Sequence, residues 1–247
     1  MAHAAQPESG SFAANAKNRI LDPLDLVARR GGGYAAMLGI DLAGLSPDAV
    51  HQWFLAAELY GARISESIAT RTWREFKRDG VLLPQGMIAA GWDRLVAILD
   101  RGGYVRYDYK TATKLLDVSR ALLDAYGGSL VALHAAAADA TDLERRIMAL
   151  GKGIGRVTTD IFLRELRGKW AKADPSLSPL ALMAAQGLGY LPDSVSNGRD
   201  ALVRLQRLWR ERGMTADSFP DFETALVREG LVRRRRLTQP VSHDAHP

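Results

Sequence analysis

Gly151-Lys152-Gly153-Ile154-Gly155 is the segment best suited to grip an anion. It separates two amphipathic stretches in LERRIMALGKGIGRVTTDIFLREL, residues 143 to 166. Glycine takes left-handed backbone angles without steric cost and lets another surface come close. A glycine turn that runs straight into a helix leaves the first amides of that helix unpaired and facing outward, which suits an anion. Lys152 and Arg156 add positive charge beside those amides, and Ile154 is placed to fill the space between the helices. The ligand this predicts is a phosphate of the DNA backbone. The plainer alternative is a glycine C-cap followed by an ordinary helix. Gly-x-Gly alone would favour that alternative. The full string is far more specific, with isoleucine between the glycines and Thr158 after them.

Composition narrows the rest. The 247 residues are 47% apolar and 25% charged, ordinary for a globular chain with one sizeable core or two interlocked lobes. A net charge of +5 is modest, but basic residues are unevenly spread. Lys152 to Lys172 holds six basic residues against two acidic ones, and Arg233 to Arg236 forms a second cluster. Local patches of this kind suit a polyanion. The absence of cysteine excludes disulfides, a thiol nucleophile and any cysteine-held iron–sulfur or zinc site. The N-terminus has no apolar run resembling a signal peptide, and no stretch reaches the 18 apolar residues that would read as a membrane span, so the expected compartment is the cytoplasm. His51 and His134 stand apart from any metal-ligand spacing, and no HExxH, P-loop or nucleophile-elbow pattern occurs.

The elements that must position the hairpin read as helices throughout, giving an all-α class. Ser46-Pro47 and Ser178-Pro179 are helix starts, with serine capping and proline at the first helical position. Gly127-Gly128 ends a long helix from about residue 108. Short helices are expected at about 85–90 and 92–100, and the last two at about 199–212 and 218–229. Residues 1–18 and 233–247 read as disordered tails.

With these segments in hand, the chain resembles the helix-hairpin-helix DNA glycosylase superfamily typified by endonuclease III. The hairpin is similar to that family's leucine-x-glycine-isoleucine/valine-glycine-x-x-threonine signature. WFLAAELYGARISESIATRTWREF resembles its early helix pair, and RGGYVRYDYKTATKLLDVSRALLDAYGG its glycine-tyrosine segment and following helix. The likeness covers about residues 46 to 190.

The resemblance implies two helical lobes with a cleft between them. Residues 46–165 would form a six-helix lobe, and residues 20–45 with 168–232 the second. It implies double-stranded DNA as partner, backbone contacts from Gly151 to Arg156 and Thr158, and a monovalent cation on the hairpin carbonyls. Asp174 falls where the family carries an aspartate that steadies the cationic sugar or activates water. The alternative for Asp174-Pro175 is a turn or cap. Glu58 lies near a glutamate that protonates the base in the adenine-specific branch, or is simply a partly solvated helix glutamate. Arg63 falls in the turn that wedges into the duplex, or is a surface arginine. Tyr60, Tyr104, Tyr107 and Trp170 are candidates to stack on a flipped base, although aromatics at helical spacing more often belong to the core. One departure matters. The family's nucleophilic lysine is replaced by Val157, which cannot form a Schiff base and is expected to pack against Ile161. The implied activity is a monomeric, monofunctional N-glycosylase using water. The alternatives are a DNA-binding module without chemistry and a helical interaction protein with no nucleic-acid role.

Overall fold

The computed structural model describes residues 20–238, and these form helices and turns with no strand. The helices are α1 Pro23–Arg30, α2 Tyr34–Met37, α3 Pro47–Tyr60, α4 Glu66–Arg78, α5 Pro84–Gly102 and α6 Asp108–Tyr126. They continue with α7 Leu130–Ala136, α8 Ala140–Met148, α9 Arg156–Leu166, α10 Pro179–Gly187, α11 Gly198–Arg210 and α12 Phe219–Thr238. Local chemistry sets most of these boundaries. Ser46 and Ser178 accept hydrogen bonds from Ala49 and Ala181 amides ahead of α3 and α10, each with proline opening the helix. Gly127, with φ of +61°, closes α6 in the left-handed conformation. Gly91, at φ +74°, is non-helical and breaks α5 into two helical arms, which are the two short helices expected there.

Two apolar cores divide the chain. The first is built on α3 to α9, with Trp53, Phe54, Trp73, Phe76 and Phe162 fully enclosed. Phe54 meets Phe162 edge-on at 4.9 Å, and Trp53 Nε1 donates to the Phe162 carbonyl at 3.0 Å, which binds α3 to α9. The second core joins α1 to α10–α12, with Trp209 stacked on Phe222 at 5.2 Å. In α12, a Cβ on Gly230 would stand 2.8 Å from the Leu180 carbonyl carbon, so α10 and α12 pack in direct backbone contact.

Three boundaries differ from the sequence expectation. Residues 34–42 pack into the first core rather than the second. The cause is Glu165 of α9, a buried carboxylate that accepts the amides of Tyr34 and Ala35 and so caps α2 from 130 residues away. Seven helices, α3 to α9, occupy the stretch expected to hold six. The Arg233–Arg236 run is not a tail: it lies inside α12, where Arg233 pairs with Glu229 one turn back at 2.8 Å. Residues 1–19 and 239–247, including the rest of both expected tails, lie outside the described residues.

Buried ionisable groups tie the folded state to pH. His51 of α3 is enclosed, and its Nδ1–H donates to the Leu82 carbonyl at 2.9 Å. Burial lowers its pKa from 6.5 to about 4. The unfolded chain therefore binds a proton there that the folded chain refuses, so stability falls as pH drops from 6.5 towards 4. The loss is on the order of 3 kcal/mol by proton linkage. Urea unfolding at pH 7 and pH 4.5 reads this term directly. His51→Gln should unfold with a shallower pH dependence across that interval, and an unchanged slope would remove His51 as its source.

Candidate active site

A cleft of about 740 Å³ opens where the end of α3, the start of α6 and the hairpin meet. All of its walls come from residues between Glu58 and Thr158, elements of the first core. It is not the expected gap between two lobes.

Each wall has a local reason to be there. Gly61, after the last turn of α3, lets Thr158 Oγ1 of α9 occupy the space its side chain would fill. That contact seats the α3–α4 turn on the hairpin helix and leaves Arg63 exposed at the rim. Along α6, Lys110, Lys114 and Asp117 follow the i, i+4, i+7 spacing of one helix face, and all three line the cleft. Lys152 and Gly153 of the hairpin complete it. Gly153 sits at φ +99°, a conformation that favours glycine, and packs against the methylenes of Lys114. Gly151 approaches Val118 so closely that a Cβ would stand 2.7 Å from its Cγ2.

Glu58 is the deepest polar group. It is 2% exposed, and Lys114 Nζ stands 3.4 Å from its Oε2. The same ammonium donates to the Glu58 backbone carbonyl at 3.4 Å. Oε2 nevertheless has no partner of hydrogen-bonding geometry among the described residues. Burial pushes the Glu58 carboxyl above the usual carboxylate range, and the Lys114 charge opposes this only in part. Beside it, Tyr104 is enclosed, with its hydroxyl donating to the Leu59 carbonyl at 3.4 Å, and burial pushes its phenol up to about 12. Tyr107, half-buried, lines the same wall. This is a buried carboxyl among aromatic surfaces, next to cations, with its acid form favoured by burial. It can donate a proton to a group that enters the cleft.

No protein-family model matches this chain, and no curated protein matches it.

The other expected site residues are distributed differently. Asp174 does not line the cleft. One of its oxygens is 3.2 Å from Arg167 Nη1, and the other pairs with Arg199. Its charge is felt at Glu144, as are those of Arg156, Asp160 and Arg199. Thr158 lies about 160° around α9 from Arg156 and Asp160, so the cleft and the Asp174 cluster are on opposite faces of that helix. Asp174 is not a cap either, because Ser178 caps α10. Tyr60 and Trp170 belong with the packed interior rather than a base pocket. Tyr60 bonds to Thr70 Oγ1 at 2.7 Å and packs on Tyr34, whereas Trp170 lies between His134 and Phe162. Thr158 is buried against Gly61, so it has no surface to offer a backbone phosphate. Val157 is 62% exposed and therefore does not pack as expected.

The hairpin keeps its anion-facing character. Ile154 is buried between the helices, and its amide closes the turn onto the Gly151 carbonyl at 3.1 Å. Gly155 precedes α9 with no side-chain cap on the helix. Arg156 is exposed but partnered by Glu144 at 2.7 Å and Asp160 at 2.9 Å. Within the turn the Gly151 carbonyl is the one that the Ile154 amide engages. Among the described residues no three His, Cys, Asp or Glu side chains are grouped to hold a metal, and no helix is long and apolar enough to cross a membrane.

Among the cleft residues that sequence reasoning missed are Trp92, Tyr109, Lys110 and Lys114. The lysines carried a readable signal, the one-face spacing with Asp117 on a helix that was already expected. Trp92 carried none, because the Gly91 kink decides which way it faces.

Proposed function

We propose that the chain is a monofunctional DNA N-glycosylase of helix-hairpin-helix type, with Glu58 as the acid that protonates the departing base. The observation that carries this reading is the buried Glu58 carboxyl, facing Lys114 but with an oxygen that lacks a hydrogen bond, in an aromatic cleft whose rim is the glycine hairpin. A duplex held by phosphate contacts at the uncapped start of α9 would bring an extruded nucleotide to that cleft. The carboxyl proton passes to a ring nitrogen or oxygen of the base, and the bond from C1′ to the base breaks. Water adds to C1′, and its surplus proton returns to the Glu58 carboxylate. Lys114 steadies that carboxylate until its proton returns. Arg63, exposed at the cleft rim, would fill the gap in the duplex. No exposed lysine follows the hairpin at Val157, which supports hydrolysis rather than lyase chemistry. Within this reading the chain acts as a cytoplasmic monomer on double-stranded DNA, with no iron–sulfur cluster.

Asp174, clasped by Arg167 and Arg199, supports a second reading in which the duplex clamp persists without catalysis. If the carboxylate does assist, it must first exchange Arg199 for the sugar.

Base release from a set of lesion-bearing duplexes, developed with alkali, tests the proposal. Abasic sites on at least one lesion, with no strand scission before alkali and no borohydride-trapped adduct, are expected. Salt-sensitive duplex binding without release from any lesion would instead establish the non-catalytic clamp.

A further inference from the structure

We infer that the Trp92–Tyr109 ring pair is a stacking platform for an unpaired base, so that the substrate class is DNA carrying an unpaired nucleotide beside the target. This rests on the DNA reading above and narrows it. Of the five tryptophans, Trp53, Trp73, Trp170 and Trp209 are 4% exposed or less, whereas Trp92 is 39% exposed and Tyr109 61%. Both rings line the cleft. Leaving so much aromatic surface in water is costly unless a ligand covers it.

The two rings are held in position. Their centroids are 5.2 Å apart at a 44° tilt. Trp92 Nε1 donates to Thr113 Oγ1 at 3.1 Å, and that hydroxyl donates to the Tyr109 carbonyl at 3.0 Å. Gly91, in the left-handed region, turns the second arm of α5 so that Trp92 meets α6. A surface already fixed in this way loses little side-chain freedom on binding.

The charge around the rings selects the partner. Arg63, Lys110, Lys114 and Lys152 line the same cleft against Asp117 and the enclosed Glu58. Cations interleaved with aromatic faces suit a nucleotide, whose phosphate takes the charge while its base takes the ring. A paired base has both faces covered by its neighbours and offers nothing to stack. A base that is already unpaired reaches the platform without the cost of extrusion, and stacking of one base on an aromatic side chain is worth roughly tenfold in affinity.

The test uses the whole chain and three probes at one fixed salt concentration: a fully paired duplex, the same duplex with a single unpaired thymine, and one strand alone. The two unpaired probes should bind about tenfold more tightly than the paired one. Their binding should also quench the emission of the solvent-reached tryptophan. Trp92→Leu with Tyr109→Leu should erase that advantage and leave paired-duplex affinity unchanged. Trp92→Phe should retain most of it, which separates loss of stacking from a disturbed fold. Equal, salt-sensitive binding of all three probes by the unsubstituted chain overturns the platform and spares the DNA reading. So does an unpaired-probe advantage that survives the double substitution. No binding of any probe at low salt overturns both.

Discussion

Glu58→Gln should slow base release by roughly 10²-fold or more while leaving the fold and duplex affinity in place. A positioned general acid contributes about 10²- to 10⁴-fold, and an amide cannot supply the proton. The substitution is nearly isosteric, and its carbonyl oxygen still faces Lys114, which stands 3.4 Å from Glu58 Oε2. The pH dependence gives a sharper readout. Burial raises the Glu58 carboxyl above the ordinary range, so the acid form persists to higher pH than in a solvated glutamate. The release rate of the unsubstituted chain should fall as pH climbs through that raised pKa, and any residual rate in Glu58→Gln should lack that limb. The same shift has a stability sign. A carboxyl raised on folding contributes below its unfolded pKa, and that contribution is lost as pH rises through the folded value. Glu58→Gln should therefore lose less stability than the unsubstituted chain between pH 4 and pH 8. Single-turnover release measured across that range decides the matter, and undiminished release by Glu58→Gln would remove the residue from the chemistry.

The largest effect on stability is expected from Arg167→Met. Arg167 follows the last residue of α9 and is almost wholly enclosed, with its side chain 4% exposed. Its Nε is 3.0 Å from Glu223 Oε2, itself 1% exposed on α12, while its other nitrogens reach Asp174 and the Pro175 carbonyl. It thus joins the first core to the second. Removing one partner of a buried pair strands the other charge, which costs about 3–5 kcal/mol. For a chain of this size that corresponds to a fall in Tm of roughly 10 °C. The double substitution Arg167→Met with Glu223→Gln should recover a good part of the loss, because no lone charge then remains inside. Urea titration of the single and double variants measures both quantities. A single-variant loss under about 1 kcal/mol would mean that Glu223 finds water once Arg167 is gone.

These two residues also show what a sequence can and cannot reveal. The turn chemistry was legible, because it acts over a few neighbouring positions. Ser46-Pro47, Ser178-Pro179, Gly127 and the glycine hairpin all do in space what their local spacing says. Facing was harder to read. Tyr104 and Tyr107, in the turn before α6, reach the cleft, but Tyr60 at the end of α3 and Trp170 in the turn after α9 pack into their surroundings. Asp174 follows the hairpin at the expected distance along the chain, yet the opposite face of α9 receives it. Least legible were contacts between distant segments. Nothing near residue 34 announces that Glu165 will cap α2, and nothing near Arg167 announces Glu223. The basic run at 233–236 lacked apolar periodicity and so read as a tail, whereas the pairing of Arg233 with Glu229 belongs to a continuing helix.

Val157, the position that departs from the resembled family, stands 62% in solvent on the first turn of the hairpin helix. It contributes little packing, so its replacement should cost little. The chain contains no cysteine, so Val157→Cys would give it a single thiol, set beside the anion-facing amides. A disulfide tether from that sulfur to a thiol-bearing DNA strand could hold the two molecules together long enough for a co-crystal.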